Sequence, residues 1–451
     1  MILFHSTNKN SPDVNIKEAI LRGQAPDRGL FMLNEIPQLN QEEIYAFRNL
    51  DLPEIAYSVL SKITKEIIPE SELKKIINSA LTFDIPVEKI TDYNYVMYLD
   101  RGPTCSFKDI GARMLARMME YFLNLEDRNV IIITATSGDT GGAVASAFYE
   151  MNRSNVVVLY PKKEISNLQR KQMTTLGKNV TAIGINGKFD DCQRFAKLAF
   201  ADKELEHLNL SSANSINVGR LLPQILYYFW GYSRIIESLG EEIIFSVPSG
   251  NFGNLMGGLI AYNMGLPVKR FVVAVNENDE FPRFLETGIY QKVIPSKHCI
   301  SNAMNVGHPS NFARLVDLYG GHIDEQGIMH KDPELDKIRG DMFGISIDDD
   351  WTRKTIKDFY EKYTKVIEPH GAVGWAALQF YRNKFPENAK IKAICSETAD
   401  PAKFPEEIIS LININPKIPR SLDAISKKDE VPNPVEVNKY EDFKSFLLKN
   451  F

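Results

Sequence analysis

The 451-residue sequence predicts an α/β protein, with parallel sheets covered by helices and an extra N-terminal domain. Three observations lead there. Short, wholly apolar runs such as Val130–Thr134 and Ile243–Val247 lack the alternation of a half-buried strand, so both faces must be covered. Each run passes through a glycine loop into an apolar helical pattern, the order of a parallel sheet with crossover helices. The first 95 residues or so have another texture, with helical spacing at Gln41–Asn49 and Pro53–Ile67 and no glycine-rich loop.

Further short buried strands are expected at Val156–Tyr160, Phe271–Val275 and Ile391–Cys395. After Lys108, apolar residues at 110, 114, 115, 118, 119, 122 and 123 form one helical face, so Lys108 starts a helix. The expected division is 1–95 for a helical or mixed N-terminal domain and 96–230 for the Lys108 segment with a small α/β domain. Residues 231–451 form a large α/β domain whose C-terminal tail, rich in Pro, Lys and Asp over Pro416–Pro434, wraps the surface before a last helix.

Composition excludes several function classes. With 44% hydrophobic and 25% charged residues the chain reads as globular, and its net charge of −5 gives no general attraction to nucleic acid or an anionic membrane. Cys105, Cys192, Cys299 and Cys395 are too scattered for a local zinc or redox motif, so no metal is expected and the thiols read as reduced. No apolar run approaches the ~20 residues of a membrane span. The opening MILFHSTNKNSPDVN lacks a basic flank and apolar core, so a cytoplasmic protein is expected.

Chemistry concentrates in three segments. A lysine at a helix start opposes the helix dipole, and the same field lowers its pKa and frees a nucleophile. Thr134-Ala-Thr-Ser-Gly-Asp-Thr-Gly-Gly leaves a strand and opens a helix; its amides with Ser137 and Thr140 can hold an anion such as a carboxylate. Val247-Pro-Ser-Gly-Asn-Phe-Gly-Asn254 has the form of a phosphate cradle, with Gly250 and Gly253 allowing close backbone approach. Neither loop matches a Walker A or dinucleotide signature.

Ser106-Phe-Lys108-Asp109, Thr136-Ser-Gly-Asp-Thr-Gly-Gly142 and Pro248-Ser-Gly-Asn-Phe-Gly253 resemble the signature segments of threonine synthase, a fold-type II pyridoxal-phosphate (PLP) enzyme similar to tryptophan synthase β. Asp27-Arg-Gly-Leu-Phe31, Asn214-Ser-Ile-Asn-Val-Gly-Arg220, Asn276–Leu285, Ser301–Asn305, Glu368–Gly374 and Thr398–Phe404 extend the likeness over nearly the whole chain. The long N-terminal region resembles the longer bacterial and fungal branch.

The resemblance implies roles residue by residue. Lys108 would carry PLP as a Schiff base and shuttle protons. Gly250, Asn251, Phe252 and Asn254 would hold the PLP phosphate, and Thr398 would face the pyridine nitrogen. The Ser137-Gly-Asp139-Thr140 loop would take the substrate carboxylate, and Asn214 and Arg220 the substrate's own phosphate. The implied reaction converts O-phospho-L-homoserine and water to L-threonine and phosphate, by a monomer or homodimer. A PLP-dependent threonine or serine dehydratase, or a phospho-lyase, is the alternative; it needs no second phosphate site. The family usually carries histidine where this chain has Asp400, an acid that repels a phosphate unless it points away or pairs with Lys403.

Overall fold

The computed structural model describes residues 1–431 and 435–451, so residues 432–434 of the expected tail wrap lie outside the described residues. Two sheets carry the architecture. The larger has six strands in the spatial order Met342–Ser346, Val268–Val275, Ile243–Pro248, Ala393–Glu397, Asn94–Tyr98, Val87–Lys89. All pair in parallel except Val87–Lys89, which runs antiparallel along one edge. The smaller has five parallel strands, ordered Val435–Val437, Val180–Ile185, Ser154–Pro161, Val130–Ala135, Leu210–Ser212.

Central strands are buried along their length, as their unbroken apolar runs require. The sheets cross the divisions expected at 95 and 230. Asn94–Tyr98 lies inside the larger sheet beside Ala393–Glu397, and Val435–Val437 returns to edge the smaller one. A parallel strand's partner is reached through a long crossover, so local sequence does not name it.

Helix Lys108–Glu126 packs against the N-terminal region and against helix Asp139–Phe148. Its predicted face, Ile110, Met114, Leu115, Met118, Met119, Phe122 and Leu123, is buried throughout. Burying each such side chain contributes roughly 1.5–3 kcal/mol. Asp127 ends the helix in the left-handed conformation at φ 50°. Helices Ile16–Arg22 and Glu70–Ala80 pack on it, and Arg113 donates from Nε to the Ala80 carbonyl at 2.7 Å. Two N-terminal helices start with capping boxes, Asn40 with Glu43 and Asp51 with Glu54.

The main core runs from the N-terminal region through the Lys108 helix to helices Ile225–Ile235 and Gly253–Asn263. Separate cores lie under helix Pro369–Lys384 on the larger sheet and under helices Phe189–Ala201 and Tyr440–Asn450 on the smaller. All four cysteines are free and buried. Among the described residues, no helix is long and apolar enough to cross a membrane.

Candidate active site

One cavity opens where the C-terminal ends of strands from both sheets face each other, the usual ligand position in parallel α/β folds. Lys108, Ser137, Asp139, Thr140, Asn214, Arg220, Gly250, Asn251, Phe252, Asn254 and Thr398 all line it. No residue before Phe107 lines it, and helices of the N-terminal region pack on the Lys108 helix.

The turn before Lys108 is stitched to the end of strand Ala393–Glu397. Phe107 N–H donates to the Thr398 carbonyl at 2.9 Å and Asp400 N–H to the Cys105 carbonyl at 3.2 Å. Asp109 is buried and turns backward, accepting from Thr104 N–H at 2.9 Å and Thr104 Oγ1 at 2.6 Å. Lys108 is left facing the cavity, 13% exposed, with its Nζ 3.9 Å from Asp139 Oδ2. Burial pushes its amine down to about 8, against the opposing pull of Asp139.

The loop after strand Ile243–Pro248 enters helix Gly253–Asn263 through Phe252 at φ 60°. Gly250 meets the opposite wall closely; a Cβ there would lie 2.8 Å from Met304 Cα and 2.9 Å from the Ala303 carbonyl. Asn251 spends its side chain on bracing, donating to Ser215 Oγ at 2.6 Å and accepting from Ser310 N–H at 2.5 Å. Asn254 differs. Its Oδ1 accepts from Tyr228 at 3.0 Å, while its buried Nδ2 has no partner. Such a donor at a helix N-terminus fits a phosphate.

On the facing lobe, Thr136 Oγ1 accepts from Gly138 N–H at 2.9 Å and Gly141 N–H at 2.8 Å, shaping the loop before helix Asp139–Phe148. Gly138, at φ 139°, sits over Gln169, whose Nε2 would lie 2.6 Å from an added Cβ. The Asp139 carboxylate is already committed, because Oδ1 accepts from Lys403 Nζ at 2.9 Å and Gln169 Nε2 at 3.1 Å. Burial alone would raise its pKa; the Lys403 and Lys108 charges hold it well below the usual range.

Arg220 is buried, with Nη1 donating to the Ala213 carbonyl at 2.6 Å and Nε lacking a partner. No carboxylate pairs with it among the described residues, and burial draws it down to about 10. A buried cation without a counter-ion, lining a cavity, calls for an anionic ligand. Asn214 donates from Nδ2 to the Ala135 carbonyl at 2.8 Å, linking the ends of two strands beside it.

Thr398 Oγ1 donates to Glu368 Oε1 at 3.1 Å. His370 donates from Nδ1 to Glu368 Oε2 and accepts at Nε2 from Ala303 N–H at 3.1 Å, so both its ring nitrogens are used structurally. Asp400 points away from the cavity. Its Oδ1 caps Ala402 N–H at 2.8 Å and its Oδ2 lies 3.7 Å from Arg101 Nη1, while Lys403 goes to Asp139 instead. The acid at this position therefore does not oppose a phosphate in the cavity.

Sequence reasoning missed Lys403, Gln169, Thr136 and Glu368 as parts of this wall. Their neighbourhoods Thr134–Gly142, Thr398–Phe404 and Glu368–Gly374 carried a signal; Gln169 comes from a separate helix with none.

A buried lysine on one wall, an unpartnered donor in a glycine cradle and a hydroxyl at a third strand end suit PLP, and the fold and site define a fold-type II PLP enzyme. The family described as pyridoxal-phosphate dependent enzyme matches residues 88–397. Threonine synthase N-terminus and threonine synthase C-terminal families match 3–81 and 371–447. The chain is 39% identical to a threonine synthase of Buchnera aphidicola, covering 100% of both chains. It superposes on PLP-bound threonine synthase from Brucella melitensis with TM-score 0.91, 31% identity and 99% of each chain covered. Against the Escherichia coli threonine synthase structure the TM-score is 0.89, with 34% identity and 100% of both chains covered. The chain belongs to the threonine synthase family, the PLP-dependent lyases of threonine biosynthesis.

Proposed function

We propose that this enzyme converts O-phospho-L-homoserine and water to L-threonine and inorganic phosphate. The observation that carries the reading is Arg220, a buried guanidinium with an unpartnered Nε in the same cavity as Lys108. A dehydratase of threonine or serine acts on a substrate without phosphate and has no use for such a group, so Arg220 favours the phosphorylated substrate. We further propose a cytoplasmic monomer or homodimer.

Lys108 would hold the cofactor, Gly250, Asn251 and Phe252 its phosphate through backbone N–H groups, Asn254 through Nδ2, and Thr398 would face the ring nitrogen. When bound, PLP supplies an electron sink for the negative charge left as protons leave carbon. The chain's own residues do the rest. The Lys108 amine, drawn down to about 8, takes a proton from Cα and then from Cβ, returns one at Cγ and, after water has added at Cβ, returns the other at Cα.

Ser137, Thr140 and the N–H groups at the start of helix Asp139–Phe148 bind the α-carboxylate. Asp139 contributes through its backbone, since its carboxylate is engaged by Lys403. Arg220 and Asn214 hold the departing γ-phosphate, which then accepts a proton from the water adding at Cβ. Phe189 and Phe252 line the cavity and limit stray water before that step.

The test is a phosphate-release assay with O-phospho-L-homoserine, products separated by chromatography, with Lys108→Ala beside wild type. Equal threonine and phosphate, both lost in the variant, is the expected result. Phosphate with 2-oxobutanoate would move the enzyme to the lyase reading.

A further inference from the structure

Lys403 is fully buried, yet the reaction above does not touch it. It ends the short turn Pro401–Lys403 at the C-terminal edge of the larger sheet, where Asp400 caps that turn. Its ammonium crosses to the smaller lobe and donates to Asp139 Oδ1 at 2.9 Å. The other oxygen of the same carboxylate is 3.9 Å from Lys108 Nζ. One carboxylate thus stands between two buried amines from opposite sides of the cavity, with Gln169 Nε2 3.1 Å from the oxygen that Lys403 uses.

From this arrangement we propose that Lys403 is a positioning residue that sets the charge state at Lys108, by occupying Asp139 so that Asp139 cannot hold Lys108 as a permanent ammonium ion. The proposal rests on Lys108 being the cofactor lysine.

The physical argument is a competition for one anion. A lone buried carboxylate within 4 Å of an amine stabilises the ammonium form by one to three pH units. Such an amine would be a poor base near neutrality. Placing a second cation on the far oxygen satisfies the carboxylate and weakens that hold, and its own charge repels a proton on Lys108. Lys403 and Arg220 both disfavour the Lys108 ammonium, while Asp139 and Glu368 favour it; His370 also faces Asp139. Asp109 is bound by Thr104. Burial and this balance together leave the amine at about 8.

A purely structural ion pair and a tuning pair make different predictions. Removing either partner of a structural latch loosens the lobes without a defined direction at Lys108. Removing the two partners of a tuning pair moves Lys108 in opposite directions. The experiment titrates the visible absorption of the cofactor–lysine linkage against pH, in purified holoenzyme without substrate.

Lys403→Met is expected to raise the titration midpoint by about one pH unit and Asp139→Asn to lower it, with the double variant between them. The double variant removes both charges together, so it leaves no orphaned partner and remains testable should Lys403→Met fail to fold. In that case Asp139→Asn below wild type, with the double variant above Asp139→Asn, supports the proposal. Midpoints that stay put, or that all move one way, overturn it. Lys108→Ala is the control for the underlying assignment. If it still forms a borohydride-reducible linkage, the cofactor sits on another lysine and the whole reading fails.

Discussion

Burying the Lys108 amine in a protein cavity, with the Asp139 carboxylate 3.9 Å away, works against folding even as it makes the amine a useful base. The drop from 10.5 to about 8 corresponds to a penalty of about 3 kcal/mol in the cofactor-free protein. The sign follows from linkage. Between about 8 and 10.5 the unfolded chain binds the proton and the folded chain does not, so stability rises with pH across that window. Lys108→Met is therefore expected to be more stable than wild type without cofactor. Its advantage should be full below pH 8 and should fade toward 10.5 in urea denaturation series. Arg220 makes the opposite kind of prediction. Arg220→Met should lower kcat/KM for O-phospho-L-homoserine by about 10²–10³-fold while the cofactor absorption stays intact. Arg220→Lys should recover only part of that, since an ammonium cannot offer a paired fork. Equal loss of cofactor binding would count against a substrate-phosphate role.

Helices Ile225–Ile235 and Gly253–Asn263 approach closely because of two glycines. A Cβ on Gly257 would lie 2.8 Å from the backbone carbon of Gln224, and one on Gly258 2.6 Å from the Tyr228 ring. Backbone cannot rotate out of the way, so the Gly257→Ala helix must shift, and the glycine cradle at its N-terminus must shift with it. The expected outcome is a loss of about 1–3 kcal/mol in stability together with weaker PLP binding, read by thermal melts with and without cofactor. Gly-Gly inside a helical pattern is a visible signal of close packing, but the neighbour it meets was not legible. The same limit applied to the strands. Apolar runs named five of the eleven strands in the two main sheets, and their order in the sheets did not follow.

At the scale of the molecule, Arg314 joins parts far apart in sequence. Its buried guanidinium donates from Nε to the Phe31 carbonyl at 2.9 Å, and from Nη1 to the Ser215 carbonyl at 2.9 Å and Asn311 Oδ1 at 2.6 Å. Nη2 donates to the Ile216 carbonyl at 2.6 Å. Asn311 in turn donates to the Asn251 carbonyl at 2.9 Å, so one side chain ties the N-terminal region, the Asn214 loop and the cofactor cradle. Arg314→Met should cost about 3 kcal/mol and broaden or split the unfolding transition, measured by calorimetry. Buried acids set the pH response of the whole. Burial raises Glu280 to about 8, so between its usual 4.5 and 8 the folded chain keeps a proton the unfolded chain loses, and stability falls as pH rises. Glu280→Gln is expected to flatten that fall in melts taken from pH 5 to 8.

By itself the sequence determined the α/β class, the Lys108 helix with its buried face and both glycine loops, because periodicity and short-range loop chemistry are local properties, while Asp139, Asn214, Arg220, Asn251, Phe252, Asn254 and Thr398 entered only through the resemblance to threonine synthase. Only the tertiary structure decided that Lys403 reaches Asp139, that Asp400 turns to Arg101, and that Arg220 has no carboxylate partner among the described residues. Those depend on which side chains meet across lobes hundreds of residues apart, and local spacing does not encode such a meeting.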